Sequence, residues 1–219
     1  MPLYQALCRR TPVSSDDLLS ANIVGTYNVF QSAAEAGVQR VVYASSAQTI
    51  EGYPLDVQVN ENMPTRPKNL YGASKVFGEA LGSYYAYQHN IEVVAVRIGA
   101  FEYQKEWCRL SSRDLSAWSE PADLCSLLIN SIEAELCDEP FGIAHGISNN
   151  RFKRLDLSET KRTLGYQPKA DAFAAWDIAL AEHSEPQEPA KVLPRSALWG
   201  GLNTYFHKSS DLSCEANQQ

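Results

Sequence analysis

The sequence predicts an α/β fold built on a parallel sheet, and three observations carry that expectation. Two short, mostly apolar runs, RVVYASSAQTI from Arg40 to Ile50 and IEVVAVRI from Ile91 to Ile98, read as strands buried on both faces, because neither alternates apolar with polar residues. Helical patterns stand before, between and after them, and that order is the one in which helices cross over between parallel strands. The third observation is size: 219 residues, 44% of them apolar, suffice for one well-buried core and are short for two domains.

Taken in order, Ser15 to Gly37 is the first helix. Ser15 caps it, Asp16 and Asp17 suit its positive end, Leu19, Ile23, Tyr27, Phe30 and Ala34 recur at helical spacing, and Gly37 closes it. A strand from Val38 to Ala44 then carries Ser45 and Ser46. Glu51 to Pro67, with Gly52, Pro54, Asn60, Asn62, Pro64 and Pro67, has the composition of a surface loop. The next helix opens after Asn69 and delivers the strand Ile91–Ile98, inside which Arg97 requires a buried acceptor. Glu120 to Ala134, with Pro121 in its first turn, is a covering helix. A short strand (Phe141–Ile147), a helix (Leu157–Leu164) and a second short helix (Ala172–Ala181) follow. Residues 1–183 are therefore expected to form the domain. Residues 184–219, with SEPQEPAK and HKSSDLSCEANQQ, are expected to be a disordered tail, being too poor in apolar groups to fold alone.

A net charge of −7 argues against nucleic acid or an anionic membrane as partner. The five cysteines form no CxxC pair, and the four histidines (His89, His145, His183, His207) show no metal-ligand spacing and read as surface or helix-end residues, so no metal is expected. No run approaches the ~18 apolar residues of a membrane span, and Met1 to Val13 lacks a signal-peptide core, which points to the cytoplasm.

The chemistry concentrates at Tyr71 and Lys75, four apart and so on one face of a helix. A phenol of pKa about 10 is a poor base at neutral pH, and a cation beside it favours the phenolate. A bare Tyr-x-x-x-Lys also arises by chance, with the tyrosine at a helix start and the lysine solvated. Here the pair follows a strand ending in two serines, and ligands of open parallel sheets bind at such strand ends.

The order NIVGTYNVFQSAAEAGVQRVVYASSA, YGASK, VVAVRIG resembles the extended short-chain dehydrogenase/reductases, the group of NAD-dependent sugar epimerases, dehydratases and dehydrogenases. The likeness runs from about Pro12 to Ala170. Within that family SSAQTI, PTRPKNLYGASKVFGE, RIGAF, Arg109 and SAWSEPADL are most similar to uronate dehydrogenases, which oxidise the C1 hydroxyl of galacturonate or glucuronate to an aldarolactone. The resemblance implies a partial Rossmann-type doubly wound parallel sheet with a small C-terminal cap, and NAD as cofactor. It makes Tyr71 the base aided by Lys75, has Ser46 and Gln48 hold the substrate, and sets Ile98 and Asn22 beside Tyr71 and Lys75 on the cofactor side. Arg109 falls where a guanidinium fork would clamp the carboxylate. The partner implied is a small sugar acid, and a homo-oligomer stays open.

The sequence also departs from the family. Relatives begin with a strand and a GxxGxxG turn that cradles the pyrophosphate, whereas Gly25 is the first glycine here. About two βαβ units, on the order of 60 residues, are therefore expected upstream of Met1. Ala47 and Ala100 replace polar residues of the uronate enzymes. The competing readings are a non-catalytic remnant or binding protein of the same fold and a sugar-nucleotide epimerase, the latter disfavoured by the short segment after Arg97. Calorimetry of this 219-residue chain with NAD should give an affinity weaker than low-micromolar, because the Tyr71 and Lys75 side of the site reaches only the nicotinamide end. Low-micromolar binding would show the cradle to be supplied by residues not recognised above.

Overall fold

The computed structural model describes residues 18–101, 112–136 and 139–175. Its first helix is α-helical only over α1 (Gly25–Glu35) and is preceded by a π-helical stretch, Leu18–Val24, so the expected single α-helix is two geometries in series. The wider turn coincides with a buried Asn22, in keeping with the tendency of π turns to occur where a side chain is re-aimed. Ser15 lies outside the described residues.

Strand β1 (Arg40–Ser46) starts and ends two residues later than the composition suggested. Val38 N–H still caps the helix, donating to Ala33 O at 2.9 Å, so it belongs to the turn. Pairing with β2 (Glu92–Ile98) then carries the strand through to Ser46. Between them runs α2 (Leu70–His89), capped by Asn69, whose Oδ1 accepts from Gly72 N–H at 2.7 Å. β3 (Ala100–Phe101), α3 (Ser112–Ser116), β4 (Trp118–Ser119), α4 (Pro121–Glu133), β5 (Phe141–Gly146), α5 (Ser158–Leu164) and α6 (Ala172–Ala175) complete the order. Pro121 occupies the first turn of α4, and Glu120 caps it.

The main sheet is parallel with order β1-β2-β5, and β3 pairs with β4 in a second parallel pair. The register sets Ser46 beside Ile98 and Ile98 beside Gly146, so three strand ends finish level. One core cluster joins Val94, Val96 and Ala144 to Leu127 of α4 and to Ile147, Leu155 and Tyr166. A second joins Tyr43, Val93 and Ala95 to Phe30 of α1 and Tyr85 of α2, whose rings stack at 5.4 Å. Burial on both faces is what the unalternating apolar composition of β2 requires.

Two expectations are corrected. Residues 51–67 are more than a surface loop, since Val59 is fully buried and bridges Leu155, with Val59 N–H donating to Arg154 O and Asp156 N–H donating to Val59 O. His145 is no surface or helix-end histidine: it is fully buried in β5, whereas His89 does end α2 and is exposed. Among the described residues no helix is long and apolar enough to cross a membrane, and no group of three or more His, Cys, Asp or Glu is placed to hold a metal. The boundary at 183 and the tail 184–219 lie outside the described residues.

His145 Nδ1–H donates to Asp156 O at 2.7 Å and lies 3.5 Å from Glu61 Oε1. Burial, reinforced by the nearby charge of Arg97, pushes its pKa from 6.5 down to about 4. The unfolded chain therefore binds this proton first, and stability falls as pH drops from about 6.5 to about 4, by about 3 kcal/mol at full extent. Glu61, raised by its own burial, takes up a proton more readily folded than unfolded and tempers that loss. His145→Asn keeps a donor for Asp156 O without the titration. Thermal melts across this window should show wild type losing more stability than the variant, and parallel curves would refute the assignment.

Candidate active site

The level strand ends make a platform, and α2 lays its first two turns across it. Helix and strand approach closely because Gly72 and Gly78 face β1 and the turn that follows it. A Cβ on Gly72 would stand 2.5 Å from Gln48 O, and one on Gly78 would overlap the Tyr43 ring. At that separation the Lys75 side chain, 2% exposed, lies between helix and strand, and its ammonium donates to Ala44 O at 2.9 Å. Its Nζ also stands 5.3 Å from the centroid of the Tyr43 ring and 5.7 Å from that of Tyr71, within cation–π range. Tyr71, half-buried in the first turn of α2, thus has a fixed cation one turn along its own helix.

Ser46 ends β1 and caps a 3₁₀ turn, Ala47–Thr49, its Oγ accepting from Gln48 N–H at 3.2 Å. Gln48 Oε1 accepts from Asn69 Nδ2–H at 3.0 Å, which ties this turn to the start of α2 just before Tyr71. Ile98 ends β2 beside Ser46, and Gly99 N–H donates across to Gly146 O at 2.9 Å. Asn22 Nδ2–H donates to Ser74 Oγ at 2.9 Å, and Ser74 Oγ–H donates to Tyr71 O at 2.7 Å, so Asn22 buttresses the turn that carries the phenol.

Of the sequence-expected site residues, Ser46, Gln48, Tyr71, Lys75, Ile98 and Asn22 are therefore brought to one end of the sheet. Arg109 lies outside the described residues. Its neighbour in sequence Arg113 is committed within the fold: Nε donates to Glu51 Oε1 at 2.9 Å, Nη2 to Glu51 Oε2 at 3.1 Å and Nη1 to Asp114 Oδ1 at 2.6 Å.

Sequence reasoning missed three contributors. Ser74 gave no local signal, because its role depends on Asn22, 52 residues earlier. Asn69 stood at a helix start, where an asparagine side chain is a strong capping signal. Glu79 was the more findable omission, lying four residues beyond Lys75 on the same stripe when Arg97 already demanded an acceptor.

The donor set of phenol, ammonium and serine hydroxyl beside apolar Ile98 fits a flat ring bearing a ribose, the nicotinamide end of a dinucleotide. No glycine-rich pyrophosphate cradle is found among the described residues.

Residues 3–102 match the NAD-dependent epimerase/dehydratase family model. An L-arabinose 1-dehydrogenase (NAD(P)(+)) of Haloferax volcanii is 35% identical over 173 residues, covering 70% of this chain and 68% of that protein. A uronate dehydrogenase of Pseudomonas putida is 35% identical over 181 residues, covering 81% of this chain and 64% of that one. The crystal structure of a mutant uronate dehydrogenase of Agrobacterium tumefaciens complexed with NAD superimposes with a TM-score of 0.67 at 32% identity, over 81% of this chain and 64% of that chain. The matched region thus spans about two thirds of the length of these relatives. With its parallel Rossmann-type sheet and the YGASK helix across the strand ends, the chain belongs to the NAD-dependent epimerase/dehydratase family, within the extended short-chain dehydrogenase/reductases.

Proposed function

We propose that this chain belongs to a sugar-acid dehydrogenase that oxidises the C1 hydroxyl of a uronate to an aldarolactone. The observation that carries the reading is the buried Lys75 ammonium, held by Ala44 O one turn from the Tyr71 phenol. A cation fixed there favours the phenolate, so Tyr71 takes the C1 hydroxyl proton as the C–O double bond forms. NAD, when bound, supplies the acceptor for the C1 hydride. Ser46 orients the reacting oxygen and Gln48 lies beside it, while Ile98 closes the apolar side of the platform. Lys75 and Tyr71 would hold the nicotinamide ribose, with Asn22 supporting their helix. Water is kept from the ammonium by the Tyr43 ring and the close seat of α2.

The substrate class rests on Arg109. Arg113 already serves Glu51 and Asp114, and it is the resemblance to uronate dehydrogenases that assigns the carboxylate of a uronate to Arg109. A neutral aldose is the second reading, supported by likeness to the arabinose enzyme and by alanine at positions 47 and 100.

Two substitutions test these assignments by steady-state kinetics in the active protein. Tyr71→Phe should lower kcat by about 10²–10⁴-fold with the fold intact, and retention of more than about a tenth of the rate would place the base elsewhere. Arg109→Lys loses the planar fork and should raise KM for galacturonate or glucuronate more than about tenfold, about 1.4 kcal/mol of binding, with a smaller effect on neutral aldoses. Unchanged uronate kinetics, or a sugar nucleotide as the better substrate, would leave only the family assignment standing.

A further inference from the structure

Directly beneath the level strand ends lies a row of polar residues in a sheet otherwise filled with Val and Ala: Ser45 on β1 pairs with Arg97 on β2, which pairs with His145 on β5. The acceptor for the first two is Glu79 of α2. Ser45 Oγ–H donates to Glu79 Oε1 at 2.6 Å, Arg97 Nε–H to the same oxygen at 2.9 Å, and Arg97 Nη2–H to Oε2 at 2.8 Å. Glu79 is 5% exposed and Arg97 2%, so this is a desolvated, two-pronged ion pair with a third donor from the neighbouring strand.

Tyr71, Lys75 and Glu79 recur every four residues on one stripe of α2. Ser45, which Glu79 grips, directly follows Ala44, whose carbonyl receives the Lys75 ammonium, and directly precedes Ser46. One carboxylate therefore fastens the helix that carries the phenol and ammonium to the strand that carries their carbonyl anchor and the substrate hydroxyl. It does so one residue from both.

We propose that Glu79, gripped by Ser45 and Arg97, is a positioning residue that sets α2 against the end of β1 and so fixes where the Lys75 ammonium and the Tyr71 phenol stand relative to Ser46. This rests on the reading of Tyr71 and Lys75 as the catalytic pair. Removing only one partner leaves a buried charge uncompensated, so single variants confound stability with position. The double variant Glu79→Leu/Arg97→Met replaces both charges with apolar groups, a change that such sites commonly tolerate, and it abolishes the grip on Ser45.

The test compares wild type, this double variant and Ser45→Ala, which loses only the 2.6 Å bond, in the active protein. Thermal melts, kcat and KM for the sugar, and the NMR signal of the Lys75 ammonium in isotopically labelled protein are measured. That signal is assigned by its loss in Lys75→Met. For the double variant the expected result is a melt near that of wild type, kcat reduced at least tenfold, sugar KM within about twofold and a displaced or broadened lysine signal. Ser45→Ala should move the same readouts in the same direction, less far, and it decides the matter should the double variant fail to fold. Leu127→Ala, a core truncation in the cluster with α4, lowers the melt while leaving kcat and the lysine signal in place. Wild-type kcat and an unmoved lysine signal in the double variant or in Ser45→Ala would overturn the proposal, as would an equal loss of both in Leu127→Ala. If Tyr71→Phe retains its turnover, the catalytic reading falls separately, and the lysine signal still reports whether Glu79 holds Lys75.

Discussion

A primary ammonium withdrawn almost wholly from water is costly unless hydrogen bonds and charge replace its hydration, and Lys75 is in that position. Its acceptor is a main-chain carbonyl, Ala44 O, and two aromatic rings face it, so the burial is possible only while α2 stays close to β1. Glycine sets that distance. At Gly78 any Cβ would overlap the Tyr43 ring, and at Gly72 it would press on Gln48 O, so either substitution would lift the helix and draw the ammonium off its carbonyl. The local sequence from Asn69 to Glu79 thus specifies a cap, two close contacts and three inward polar groups in only three turns.

The sheet answers this demand with a graded interior. Deep in β2 the pattern is apolar, Val93 to Val96 each at most 1% exposed, and rigidity comes from packing on both faces. One residue short of the strand ends it turns polar, with Ser45, Arg97 and His145 in register. Glu79 meets Arg97 there with both carboxylate oxygens, and breaking such a pair by removing one member typically costs about 3–5 kcal/mol. His145 meets the same environment by the opposite route: burial beside Arg97 keeps it neutral, and its Nδ1–H is spent on Asp156 O. The polar layer thereby adds directional bonds one residue short of the strand ends.

What could be read from the sequence follows from the range of the interactions. The Tyr71–Lys75 spacing, Pro121 in the first turn of α4 and the strand compositions are local or periodic, and the structure has them within a residue or two. Arg97 advertised its need for an acceptor, but the identity of Glu79 depends on how α2 crosses the sheet, which no local pattern states. Asn22 was legible only through resemblance, since its partner Ser74 lies in another helix and an asparagine at that spacing is otherwise an exposed one. His145 was misread because a histidine in a short, Gly-flanked run carries no sign of its depth; its burial is imposed by Val59, Leu155 and α5 folding over that edge. Composition likewise hid the role of residues 51–67, whose turn-forming residues are real but are interspersed with Val57, Val59 and Met63, in or against the core cluster.

In the proposed reaction the Tyr71–Lys75 pair does not itself distinguish one sugar from another, since a secondary or anomeric hydroxyl presents the same O–H to the phenol. Recognition must come from groups beyond the strand ends. Beyond those ends Glu51, just past the turn after β1, is joined to Arg113 of α3 by two hydrogen bonds across 62 residues of sequence. This pair fastens the two segments to each other, and with Asp114 it consumes the guanidinium of Arg113. The proposed substrate class rests instead on Arg109, in the sequence between β3 and α3. In the proposed reading the base is fixed by the close seat of a helix on a strand, whereas the choice of sugar is assigned to the connections that follow the strands.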